Sequence, residues 1–182
     1  MLLDTPKAEL GWQAAPFRLS NPSGESFSLQ QLQGEKGLLI AFICNHCPYV
    51  KAVIDRLVAD TKALQAQGVN VVAISSNDYS RVPEDSPQMM AKYAAAHNFS
   101  FEYLVDQDQC VARDYAAVCT PDFFGFNSAG QLQYRGRLDD ARLTDATNRR
   151  PELLQAMLEI ASTGSCEVIQ HSSIGCSIKW HS

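Results

Sequence analysis

The hydrophobic pattern changes period several times along the chain, and each change marks an element. Phe17 and Leu19, then Phe27 and Leu29, alternate with polar neighbours on either side of Asn21-Pro22-Ser23-Gly24, which predicts a hairpin with turn formers at its tip. The charge-free run Gly37 to Ile43 has the length and composition of a strand buried on both faces of a parallel sheet. From Val50 onward, Val53, Ile54, Leu57 and Leu64 fall near helical spacing, and Gly68 is placed to end that helix in a left-handed conformation. Val69 to Ser75 repeats the buried-strand pattern, and Ser86-Pro87 supplies an N-cap and first-turn proline for a helix running towards His97. Phe101 to Val105 predicts another strand. Val111, Tyr115 and Val118 share one face of a short helix that must stop before Thr120-Pro121. Phe123 to Phe126 and Leu132 to Arg135 then flank Asn127-Ser128-Ala129-Gly130 as a second hairpin, and an amphipathic helix begins near Pro151.

Strands that alternate with helices and finish in a hairpin and a helix predict an α/β fold whose central sheet is parallel in part, with an antiparallel edge. A length of 182 residues suits one domain over 1–182, with a hairpin-bearing N-terminal extension at 1–36 and a C-terminal tail at 162–182 that carries no readable period. Hydrophobic residues at 46% and charged residues at 19% match a folded globular chain. A formal charge of −5, with Lys and Arg scattered, argues against nucleic acid as a partner. No segment has the roughly 20 apolar residues of a membrane helix, and the first residues lack a basic, apolar leader, so no membrane partner and a cytoplasmic location are expected.

That location bears on the six cysteines at 44, 47, 110, 119, 166 and 176, because a reducing solvent leaves thiols free unless they are catalytic, sensing or metal-bound. Cys44-Asn45-His46-Cys47 sits where a buried strand hands over to a helix. Free backbone N–H groups and the helix dipole at such a junction favour thiolate over thiol, and two cysteines around one turn can close a disulfide. The expectation is that Cys44, with a lowered pKa, is the catalytic nucleophile and Cys47 the resolving thiol. His46 would tune the potential by stabilising the Cys44 thiolate. The same spacing is also half of a zinc site, which Cys166, His171 and Cys176 could complete, or a plain packed pair; the strand-to-helix setting favours redox chemistry and no metal. Cys110 and Cys119 flank a short helix and are expected to pack as small hydrophobes. Cys176, in the unusual run Ser173-Ile174-Gly175-Cys176-Ser177-Ile178-Lys179-Trp180, is a candidate accessory thiol.

From Ala15-Pro16-Phe17 to about Arg137 the chain resembles the thioredoxin-fold, peroxiredoxin-like proteins of the AhpC/TSA group, which include thiol-disulfide oxidoreductases. The resemblance implies a thioredoxin-like fold with an inserted helix and strand. It also implies a cis peptide at Thr120-Pro121 facing the cysteines as a substrate-contact loop. The implied activity is antioxidant thiol-disulfide oxidoreduction by a reversible Cys44–Cys47 disulfide, with a protein or small-molecule disulfide as substrate, an unidentified electron donor and no cofactor. The alternative is a thiol peroxidase acting on peroxide, with Cys47 peroxidatic and Cys44 resolving, since Cys47-Pro48 is similar to the end of the peroxiredoxin motif. Ile40 and Cys44 stand where that motif carries proline and threonine, which weakens the peroxidase expectation. A non-catalytic, zinc-binding interaction module is the reading from outside the enzyme class. The buried acidic residue of thioredoxin's strand has no counterpart in Leu38 to Ile43, so a proton relay would use His46, the partner thiol or water.

Overall fold

The structure, a computed structural model, describes every residue except Ala8, Arg142 and Thr144. Its strands are β1 (Leu2–Asp4), β2 (Arg18–Ser20), β3 (Ser26–Ser28), β4 (Gly37–Phe42), β5 (Val69–Ser75), β6 (Glu102–Val105), β7 (Cys119–Thr120), β8 (Asp122–Asn127), β9 (Leu132–Gly136) and β10 (Ile174–Ser177). The helices are α1 (Leu29–Leu32), α2 (Pro48–Gln65), α3 (Pro87–Ala96), α4 (Cys110–Asp114) and α5 (Glu152–Thr163). Seven strands form the central sheet in the order β3-β2-β6-β5-β4-β8-β9. The β4–β5 and β5–β6 pairs are parallel, and the flanking pairs are antiparallel. Where the sequence predicts a mixed α/β sheet with a hairpin at each side, that sheet is found.

The alternation of side chains along β4 divides the core into two layers. Leu39 and Ala41 join Val53, Leu57, Leu153 and Met157 beneath α2 and α5. Leu38, Ile40 and Phe42 face the opposite way and pack with Tyr115, Phe124 and Phe126. Trp12, from the N-terminal extension, closes this second layer edge-on against Tyr115 and Phe126, with ring centroids 5.6 and 5.5 Å away. Both faces of β4 are therefore dry, which explains its unbroken apolar run and fixes the position of whatever follows it.

Helix α2 begins at Pro48, two residues before the first apolar position of its sequence pattern, and Gly68 beyond its end has φ +84°, the left-handed value foreseen for it. Helix α3 starts and stops where Ser86-Pro87 and His97 mark its ends. Helix α4 is shorter than its apolar pattern, because Tyr115 already caps it and Ala116 turns the chain at φ +51°. The 162–182 tail contains a strand. β10 pairs antiparallel with both β1 and β7, forming a small three-stranded sheet over the C-terminal end of β4. Among the described residues, no helix is long and apolar enough to cross a membrane.

Candidate active site

Cys44 follows β4 by two residues, and Cys47 is the N-cap of α2, so the buried strand and the long helix hold the pair between them. As the order of strand, cysteines and helix in the sequence implies, the helix begins after the second cysteine, and the positive end of its dipole lies at Cys47. Cys44 and Cys47 are 1% and 0% exposed.

Thr120 meets both sulfurs. Its hydroxyl lies 3.2 Å from Cys44 Sγ, and its carbonyl oxygen lies 3.3 Å from Cys47 Sγ, whose proton it accepts when that thiol is neutral. The Thr120–Pro121 peptide is cis, as the family resemblance implies. The contact loop does not face open solvent, however, because β10 covers it, with Cys176 opposite Thr120.

The two sulfurs have opposite proton affinities. A hydrogen bond to Cys47, burial and the negative charge of Asp85 raise the Cys44 pKa far above the ordinary thiol value. The same bond received from Cys44 is the main force lowering Cys47; burial opposes it, while the Cys176 thiol and the backbone N–H groups of Val50 and Cys176 reinforce it. Where the sequence predicts the lowered pKa at Cys44, these contacts favour the proton on Cys44 and the negative charge on Cys47.

His46 hydrogen-bonds to Asp85 and not to Cys44, although a ring nitrogen lies within 4.8 Å of Cys44 Sγ. Its Nδ1 is 2.6 Å from Asp85 Oδ2, and that hydrogen bond raises its pKa. Asp85 closes the short turn Pro83–Asp85 and is 1% exposed. Burial pushes its pKa up, but hydrogen bonds from His46, Asn77 Nδ2 and the Asn45 backbone outweigh it and hold the carboxylate below its usual range. Tyr103 completes the cage, donating to Asn45 Oδ1 at 3.0 Å. The buried carboxylate absent from β4 is thus supplied by a distant turn, and nothing in the local pattern around Asp85 marks it.

Among the described residues, one set of three candidate metal ligands converges: Cys44, His46 and Asp85, with donor atoms within 4.8 Å of one another. It is a different set from the one the sequence suggests, since Cys166 and His171 stand apart and His171 Nδ1 faces Glu152 at 3.4 Å. The Asp85 carboxylate already accepts from His46, Asn77 and Asn45, so these donors are committed to each other. Cys119 is buried as expected, whereas Cys110 is exposed and does not pack, because α4 turns it outward. Next to the cysteines an apolar cleft of about 290 Å³ opens between Leu2, Tyr49, Val53, Pro121, Phe123 and Ile174.

A Cys-x-x-Cys pair at a strand-to-helix junction, facing a cis-proline loop on a mixed sheet flanked by helices, defines a thioredoxin-like protein with a dithiol centre. Residues 10–135 match the AhpC/TSA family, and the chain belongs to it. Family membership supports thiol redox chemistry in general. An uncharacterized conserved protein from Geobacillus kaustophilus is 40% identical over 100% of this chain and 97% of its own, with a TM-score of 0.93. A hypothetical protein from Sinorhizobium meliloti is 36% identical over 98% of each chain, with a TM-score of 0.92. A secreted disulfide oxidoreductase from Mycobacterium tuberculosis shares the fold, with 22% identity, a TM-score of 0.55 and coverage of 64% of this chain and 80% of its own. Among curated proteins no sequence match is significant.

Proposed function

We propose that the protein is a thiol-disulfide oxidoreductase whose Cys44 and Cys47 cycle between dithiol and disulfide, with Cys47 as the attacking sulfur and Cys44 as its partner. The observation that carries this reading is the placement of the pair, with Cys47 at the N-cap position of α2 and both sulfurs against Thr120 of the cis Thr120–Pro121 peptide. A thiolate at a helix N-terminus is both nucleophile and good leaving group, and a neighbouring thiol that keeps its proton can supply it when the disulfide opens. The Asp85–His46 pair beside Cys44 gives a proton route to the partly exposed imidazole, the role foreseen for His46 but exercised through a carboxylate. The substrate is a protein or small-molecule disulfide, and electrons come from an external dithiol donor.

Alkylation by iodoacetamide across pH, followed by peptide mass spectrometry, tests the assignment. Cys47 is expected to react as a thiolate well below pH 8 once the protein is opened to reagent, and Cys44→Ser is expected to leave Cys47 trapped in a disulfide with another sulfur. Disulfides trapped on Cys44 in a Cys47→Ser protein, with none trapped on Cys47 in Cys44→Ser, would reverse the roles. The peroxidase reading is favoured by one feature, the Cys47-Pro48 step at a helix N-terminus. It requires a sulfenic acid on Cys47 after stoichiometric peroxide, which dimedone labelling detects.

A further inference from the structure

A free strand edge is a template for another strand, and β7 has its edge filled from within the chain. Cys176 pairs with Thr120 and Ser177 with Cys119, while Ile178 N donates to Val118 O at 3.2 Å and Ser173 Oγ to Pro121 O at 2.7 Å. Gly175 permits this approach, since a Cβ there would fall on the Thr120 carbonyl. Past β10 the chain is tied down again, by Lys179 N to Asn77 Oδ1 and by Gln109 Nε2 to Lys179 O, both 2.8 Å. The seat is therefore built along its whole length, and it places Cys176 opposite Thr120, whose carbonyl oxygen is 3.3 Å from Cys47 Sγ, and packs it against the cluster that holds Cys47. Cys44 and Cys47 are closed to solvent, but Cys176 is part-exposed.

We propose that Cys176 is the port through which the buried pair exchanges electrons with its surroundings: Cys47 alternates between Cys44 and Cys176 as disulfide partner while β10 stays seated. This rests on the reading of Cys44 and Cys47 as a redox pair. Starting from the Cys44–Cys47 disulfide, the Cys176 thiolate attacks Cys47 Sγ. The old S–S bond breaks, and Cys44 leaves and takes up the proton that Cys176 gave up. An external dithiol then attacks the accessible Cys176 Sγ and expels Cys47, the sulfur best able to leave as an anion. The second thiol of the donor resolves the mixed disulfide and releases Cys176, so the donor loses two electrons and two protons and the protein gains both. In reverse, a substrate disulfide is reduced at Cys176. A partner needs to touch only the surface of β10, and the buried sulfurs never leave the core.

Two measurements on the full chain test this. First, Cys44→Ser is oxidised with diamide and digested without reduction; the expected product is a Cys47–Cys176 linked peptide, and its absence overturns the proposal. Second, the Cys44–Cys47 disulfide is reduced by reduced thioredoxin as the dithiol probe, and Cys176→Ser is expected to slow this at least tenfold at unchanged thermal stability. Reduction at the wild-type rate overturns the port. If oxidised wild type contains no Cys44–Cys47 disulfide, the redox-pair reading falls, and the port falls with it. If that disulfide forms while the Cys47–Cys176 link does not, the port alone falls.

Discussion

The Cys47 sulfur lies 3.3 Å from the carbonyl oxygen of Thr120, a residue 73 positions further along the chain. One peptide unit thereby meets a nucleophile on one side and the covering strand β10 on the other. Disturbing that peptide unit should disturb both.

Gly175→Ala is the sharpest disturbance, because its added methyl collides with the Thr120 carbonyl. Overpacking of this kind costs about 1–3 kcal/mol. β10 should lift, and alkylation of Cys47 should accelerate relative to wild type at the same pH. Mass spectrometry of labelled peptides reads the acceleration, and thermal unfolding reads the cost.

Thr120→Val keeps the shape of the loop and removes the hydroxyl that lowers the pKa of Cys44. A net hydrogen bond contributes about 0.5–1.5 kcal/mol, so the Cys44 pKa should rise further and its alkylation should slow. Cys47, which faces the carbonyl and not the hydroxyl, should change less.

Asp85→Asn removes a negative charge that raises the Cys44 pKa and a hydrogen bond that raises the His46 pKa. Both values should fall, which NMR titration of the imidazole and pH-dependent alkylation of Cys44 would show. Loss of a buried acceptor for His46, Asn77 and Asn45 should also reduce stability by about 1–3 kcal/mol. A His46 pKa unchanged by the substitution would separate the two residues.

The His46–Asp85 pair also sets a pH window. Asp85 has a folded pKa below the ordinary carboxylate value of 3.8, so its contribution to stability is present above pH 3.8 and lost as pH falls through the lowered value. His46 has a folded pKa above 6.5, so its contribution is complete below pH 6.5 and fades as pH rises through the raised value. The stability difference between wild type and His46→Ala should therefore be largest between these limits and shrink on the alkaline side, as denaturant titrations at several pH values would show.

The central layers could be read from the sequence because their signals are local. The apolar run before Cys44, the spacing from Val53 to Leu64, and Ser86-Pro87 each report a burial pattern or a cap that neighbouring residues settle among themselves. The order of strand, cysteines and helix was legible in the same way. Both cysteines precede the apolar helical pattern, but Pro48 at the first helical position makes Cys47, and not Cys44, the cap. Asp85 and β10 could not be read in this way. Asp85 matters through His46 and Asn45, some forty residues away, and β10 gains its meaning from pairing with Thr120. Short segments whose partners are distant in sequence carry no periodicity of their own. The oddity of Ser173 to Trp180 was visible as composition, and its cause was not.

The seating of β10 has a consequence for biosynthesis. Among the described elements it is the last in chain order, so it leaves the ribosome after the sheet and helices that hold the cysteines. A nascent chain can thus carry an assembled but uncovered dithiol for a time, and it is then open to oxidation or to adducts with small thiols. Docking of β10 closes that vulnerable period.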